Sequence, residues 1–145
     1  MSTSSARIAQ SQEVRSKNMK AIRSRNTKPE LSIRRALHAA GYRYRLHVAS
    51  LPGKPDLVFP KFRKIIFVHG CFFHMHDCRY GRVVPQTNKE VWKAKRERNV
   101  DRDSKVMVEL KELGWQTSVI WECTTRTMIG VAETIREFLE ADNTQ

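Results

Sequence analysis

The sequence predicts an α/β fold in one domain, a short mixed β-sheet flanked by helices. Three observations predict it. Alternating or β-branched apolar runs recur at 42–48, 57–59, 64–69 and 115–121, the period of strands. Apolar residues at helical spacing stand at 29–40, 88–113 and 128–139, and helices interleaved with strands make layered α/β folds. The chain has 145 residues, 40% of them hydrophobic, enough for one core and too few for two.

Residues 1–28 carry Arg7, Arg15, Lys17, Lys20, Arg23, Arg25 and Lys28 against Glu13 alone, with Val14, Met19 and Ile22 too sparse to anchor a core face. That is a basic arm, either a frayed helix or a segment that orders on binding, and residues 29–145 form the domain proper. Thr27 as N-cap, Pro29 at the start, Leu31, Ile33, Leu37 and Ala40 near a helical period and Gly41 as C-cap define the first helix.

Tyr42 through Val48 alternates bulky and polar residues and reads as a strand. Pro52-Gly-Lys-Pro55 is a turn that delivers Asp56 to the strand Leu57–Phe59, and Pro60–Arg63 leads into Lys64–His69. The last is a β-branched run suited to a central strand buried on both faces, and it pairs with its predecessor as a hairpin. Residues 70–87 show no period and concentrate Cys, His and aromatic residues, the composition of a loop held by something other than an apolar core. The charged stretch 88–113 reads as one long or broken helix ending at Gly114, Trp115–Trp121 as a further strand and Met128–Leu139 as a closing amphipathic helix.

Lys and Arg number 27 against 15 Asp and Glu, a net charge of +12, which favours a polyanionic partner, with nucleic acid ahead of an anionic membrane surface. No apolar run approaches the roughly 20 residues that span a bilayer, and Met1-Ser-Thr-Ser-Ser-Ala offers no signal-peptide core. The expectation is a protein neither secreted nor membrane-spanning. Three cysteines, an odd count, fit reduced thiols or metal ligands better than disulfides.

Cys71, His76 and Cys78 form C-x4-H-x-C directly after a strand, and Cys123 is expected at the end of the next strand. Three sulfurs and one imidazole match structural zinc, with a local knuckle and one remote ligand stapling a loop to the sheet. Any one of these cysteines alone would be an ordinary small buried side chain; the set favours zinc. Four protein ligands leave no open position, so this metal is structural.

Asp56 opens one hairpin strand, and His69 ends its partner with His74 five residues on. Asp56, the Val68 carbonyl and the His69 ring are therefore expected to converge, a place for a divalent cation. Phosphodiester cleavage needs a hard oxygen-bound cation, a base for water and an acid for the leaving oxygen. Each residue alone also fits a plain reading, Asp56 as a turn carboxylate and the histidines as loop residues. In a PD-(D/E)-x-K nuclease a second acid and a lysine would follow on the next strand, where this chain has Phe67-Val-His69. Glu30 and Asp103, both on predicted helices, are the candidate replacements.

The strings Arg15-Ser-Lys-Asn-Met-Lys-Ala-Ile22, Leu51-Pro-Gly-Lys-Pro-Asp56, Ile66-Phe-Val-His-Gly-Cys-Phe-Phe-His74, Asn99-Val-Asp-Arg-Asp103, Leu113-Gly-Trp115 and Trp121-Glu-Cys123 resemble, in order, those of the very short patch repair (Vsr) DNA mismatch endonucleases. The resemblance implies a restriction-endonuclease-like fold. It also implies a Mg²⁺-dependent nick 5′ to the thymine of a T:G mismatch, a lesion left when 5-methylcytosine deaminates. On this resemblance Asp56 is the metal aspartate, and Val68 offers a main-chain carbonyl to the metal. His69 and His74 are active-site histidines, His74 being the general base, and Glu30 and Asp103 act partly through metal-bound water. Cys71, His76, Cys78 and Cys123 are the structural zinc ligands. Phe72, Phe73 and Met19 are the side chains inserted into the DNA stack, where a mismatched step is cheaper to open than a paired one. Val68 stands where many relatives have Thr and Phe73 where many have Trp.

The partners this implies are T:G-mismatched duplex DNA, a functional link to a cytosine-5 DNA methyltransferase and to mismatch-repair proteins, and no membrane. The expected protein is a monomer, cytoplasmic and nucleoid-associated. Two other readings fit the residues: a zinc-stabilised nucleic-acid-binding module without catalysis, and a nuclease of the same fold with a broader DNA target.

Overall fold

A computed structural model describes residues 27–141. Met19 and the basic arm, apart from Thr27 and Lys28, lie outside the described residues. Helix α1, Lys28–Ala39, starts where its capping chemistry dictates: Thr27 is the N-cap, its Oγ1 accepting from the Glu30 N–H at 3.3 Å, with proline in the first turn. It ends in a Schellman motif in which the Tyr42 N–H donates to Leu37 O and the Gly41 N–H to His38 O, both at 3.1 Å. Ala40 is the C-cap, and Gly41 follows it at φ 82°, a conformation open to glycine without strain.

Strands β1 (Arg45–Leu46), β2 (Leu57–Phe59), β3 (Lys64–His69) and β4 (Gln116–Trp121) form one four-stranded mixed sheet in the order β1-β2-β3-β4. β1, β2 and β3 run antiparallel in succession, and β4 lies parallel to β3 with Val68 beside Ile120. Parallel neighbours need a crossover, here the 70–87 loop and helix α2, Lys89–Glu112. α2 is one unbroken helix of 24 residues. Helix α3, Glu122–Thr125, and helix α4, Val131–Glu140, complete the chain.

The strand pleat sorts the core into two layers. Leu57, Phe59 and Ile66 face α1 and α4, meeting Ile33, Leu37, Val131, Ile135 and Leu139. Val58, Ile65 and Phe67 face α2, meeting Leu110, Val106 and Met107. The result is a sheet between two helical layers, mixed α/β as expected.

Three expectations on the elements need correction. The strand foreseen over 42–48 pairs only at Arg45 and Leu46, because His47 turns to φ 46° and leaves the extended region. The closing helix begins at Val131 rather than Met128, since Met128 (φ 59°) and Gly130 (φ 74°) are left-handed. Cys123 sits in the short helix α3 rather than on a strand end.

Lys64 shows how the layers are tied. It shares the face of Ile66, is 1% exposed, and its Nζ donates to the carbonyls of Phe138 at 2.5 Å, Leu139 at 3.3 Å and Ala141 at 2.7 Å. A buried ammonium here satisfies carbonyls at the negative end of α4. No described helix is long and apolar enough to cross a membrane.

Candidate functional site

Three clusters of ligand-type side chains lie at the carboxyl end of β3. The first comes from the 70–87 loop and α3: Cys71, His76, Cys78 and Cys123 hold their ligand atoms within 4.8 Å of one another. A tetrahedral zinc with Zn–S arms of about 2.3 Å has ligand–ligand edges of roughly 3.6–3.8 Å, and Cys123 Sγ stands 3.6 Å from His76 Nδ1. The donor set and spacing fit that ion. Backbone amides support the sulfurs: the Cys123 N–H donates to Cys71 Sγ at 3.3 Å and the Gly81 N–H to Cys78 Sγ at 3.4 Å. Burial, ahead of neighbouring thiols, pushes the Cys71 thiol up to about 12. Burial also raises Cys78, but hydrogen bonds from the Gly81 N–H and His76 outweigh it and bring that thiol down to about 6. Gly81 is required by space, since a Cβ there would stand 1.8 Å from the His76 carbonyl oxygen.

The second cluster is His69, His74 and Asp103. β3 alternation turns His69 toward the α2 layer, and Asp103 is presented by α2. Asp103 Oδ2 is 2.5 Å from His74 Nδ1 and 4.0 Å from His69 Nδ1. An ionised carboxylate only accepts, so His74 Nδ1 carries the proton and Nε2 is left as the basic nitrogen of the neutral ring. The two imidazoles stack with centroids 3.8 Å apart and planes 5° from parallel. Burial first, and His74 second, lower His69 to about 4, against a raising influence from Asp103. His69 is therefore neutral at pH 7 and can lie flat on His74 without charge repulsion.

The third cluster is Glu30, His47 and Asp56. Glu30, placed by α1, is 1% exposed. Its Oε1 is 2.8 Å from His47 Nε2, and His47 Nδ1 is 3.8 Å from Asp56 Oδ1. The imidazole packed against Asp56 is thus His47, while His69 groups with His74 and Asp103. Asp56 Oδ2 accepts the Val68 N–H at 2.8 Å. In a strand the N–H and C=O of one residue point to the same edge, so the Val68 carbonyl is carried on the Asp56 side. Burial foremost, then the Glu30 charge, raises Asp56 to about 6 against the Val68 N–H and His74, which lower it. A buried and a half-buried carboxylate beside a carbonyl edge suit a hard divalent cation, whose charge would offset their repulsion.

Phe72 and Phe73 are half-buried and meet edge to face at 5.2 Å, with Trp92 of α2 5.5 Å from Phe72 and 6.2 Å from Phe73. α2 also grips their backbone. Buried Arg96 donates to the carbonyls of Phe72 at 2.6 Å, Val83 at 3.2 Å and Gly81, with its guanidinium 4.3 Å over the Phe72 ring. Asn99 Nδ2 donates to Phe73 O at 3.0 Å.

Sequence reasoning missed His47, Trp92, Arg96 and Trp121. His47 and Trp121 read as strand residues and the other two as parts of a charged helix, and only tertiary packing gives them neighbours. Arg96 left a faint signal, a cation among apolar α2 positions.

The family model described as DNA mismatch endonuclease Vsr matches residues 9–80. The type II nicking enzyme V.XorIIP of Xanthomonas oryzae is 42% identical over 122 residues, 84% of this chain and 89% of that one. The DNA mismatch endonuclease Vsr of Escherichia coli is 46% identical over 112 residues, 77% of this chain and 71% of that one. The type II nicking enzyme V.NmeAIP of Neisseria meningitidis is 40% identical over 102 residues, 70% of this chain and 72% of that one. The chain belongs to the Vsr DNA mismatch endonuclease family.

Proposed function

We propose that this protein is a DNA endonuclease that hydrolyses one phosphodiester 5′ to the thymine of a T:G mismatch, in very short patch repair. The observation that carries the reading is the Asp103–His74 pair, a carboxylate 2.5 Å from an imidazole stacked on His69, in a chain 46% identical to a DNA mismatch endonuclease.

Each residue has a defined task. Asp103 fixes the His74 tautomer and stabilises the imidazolium that forms when His74 Nε2 takes the proton of the attacking water. His69, neutral at pH 7, locks the ring plane of His74 and offers a hydrogen bond rather than a positive charge. Asp56, the Val68 carbonyl and Glu30, which also acts through water, would hold Mg²⁺, which when bound supplies Lewis-acid polarisation of the phosphate. Cys71, His76, Cys78 and Cys123 would hold a structural Zn²⁺ and fix the loop that bears Phe72 and Phe73. Those two side chains wedge open the mismatched step, with Met19 of the arm opposite, and the weakened pairing lowers the cost of insertion. The net charge of +12 supplies phosphate contacts.

On this reading residues 1–28 are a DNA-contacting arm and 29–145 a nuclease domain with a restriction-endonuclease-like fold. The enzyme works as a cytoplasmic, nucleoid-associated monomer, downstream of a cytosine-5 methyltransferase and alongside mismatch-repair proteins.

The test is Asp56→Ala. Loss of at least about a thousandfold in nicking with duplex affinity within about threefold supports the enzyme; equal binding without cleavage by either protein favours a non-catalytic nucleic-acid-binding module.

A further inference from the structure

Glu30, His47 and Asp56 reach one point from α1, from the residue after β1 and from the residue before β2. Their side chains are 2%, 11% and 20% exposed. His47 stands between the two carboxylates, its Nε2 toward Glu30 at 2.8 Å and its Nδ1 toward Asp56 at 3.8 Å. Its backbone takes φ 46°, a left-handed conformation that strains an L-residue, and its N–H donates to Asp56 O at 3.1 Å. The chain thus departs from the strand to seat this imidazole on the acid pair.

We propose that His47 directly ligates the cation held at Asp56, so that Glu30, His47 and Asp56 form a mixed oxygen and nitrogen site that binds Mn²⁺ more tightly than Mg²⁺. The proposal rests on the reading of Asp56 as a metal carboxylate and adds the imidazole. Mg²⁺ favours oxygen donors and keeps its waters, whereas an imidazole nitrogen gains affinity along the transition series, in which Mn²⁺ is the weakest member. Mn²⁺ also leaves a thiolate-rich zinc cluster undisturbed, since zinc binds such donors more strongly.

The test uses the full zinc-loaded chain, without DNA, and Mn²⁺ alone as probe. Pulsed EPR of bound Mn²⁺ should show coupling to a directly bonded ¹⁴N in the wild type and in the His69→Gln/His74→Gln double variant, and none in His47→Gln. Mn²⁺ should bind at least about tenfold more tightly than Mg²⁺ in the wild type, and the ratio should fall to about threefold or less in His47→Gln. Mn²⁺ bound without ¹⁴N coupling in the wild type overturns the proposal, as does coupling that survives in His47→Gln. Loss of coupling in the double variant, which keeps His47, overturns it without requiring the His47 variant to fold. Absence of nicking on every duplex with the coupling intact counts against the nuclease reading and leaves this ligand set standing.

Discussion

Trp121 lies flat on His76, ring centroids 4.2 Å apart and planes 14° from parallel, and its edge meets His69 at 5.3 Å. One indole therefore touches both the Cys/His cluster and the histidine pair. Trp121→Leu keeps an apolar body but removes both ring contacts. Its turnover should fall about tenfold or more with zinc content unchanged, measured by single-turnover nicking and by metal analysis of the same sample.

Cys123 is the one remote member of its cluster, on α3 beyond β4, so its loss unfastens the loop from the sheet. Cys123→Ser should weaken zinc binding by about a hundredfold or more and lower the melting temperature. Normal zinc content in that variant would remove Cys123 from the ligand set.

Asp103→Asn leaves the shape of the His74 contact but lets an amide face Nδ1, so either tautomer is tolerated and the imidazolium loses its counter-charge. Nicking should fall on the order of a thousandfold, with DNA affinity within about threefold. A tenfold or smaller effect would assign proton transfer elsewhere.

Two buried groups give opposite pH dependences to the Mg²⁺-free protein. Asp56, raised from 3.8 to about 6 chiefly by burial, contributes stability that is full below about pH 4 and is lost as pH rises through about 6. His69, lowered from 6.5 to about 4 chiefly by burial, contributes stability that is full above pH 6.5 and is lost as pH falls toward 4. Each is worth about 3 kcal/mol, and they nearly cancel between pH 4 and 6.5. Urea melts should show Asp56→Asn losing stability relative to wild type on acidification across that window, and His69→Gln losing it as pH rises. Parallel curves for all three proteins would contradict the account.

Lys64→Met fills the same space but leaves the carbonyls of Phe138, Leu139 and Ala141 without their ammonium partner. Unfolding free energy should fall by about 2–4 kcal/mol, measured by urea titration. A loss below about 0.5 kcal/mol would mean that water replaces the lysine freely.

Features set by near neighbours in the chain were legible in the sequence. Thr27 and Gly41 bracket α1, the Pro60–Arg63 link makes the β2–β3 hairpin, and the C-x4-H-x-C spacing brings Cys71, His76 and Cys78 together. Features that depend on what packs alongside were not. Alternation over 42–48 says strand, yet His47 abandons it to meet Glu30 and Asp56, whose positions local patterning does not encode. Lys64 looked like the polar start of a buried strand and is a helix cap. Arg96 looked like one more cation on a charged helix and is a buried clamp on the loop carrying Phe72. Glu30 and Asp103 are candidate acids by residue type, but only the resemblance gives them roles, and helical periodicity alone does not bury Glu30.

The measurement closest to the central claim is a nicking assay with Mg²⁺ on labelled duplexes that differ at one position, T:G, C:G or T:A, in several flanking sequences. The expected result is one cut, on the thymine strand, 5′ to that base, in the T:G duplex alone. Cutting of C:G or T:A at a comparable rate, or of the guanine strand, would contradict it.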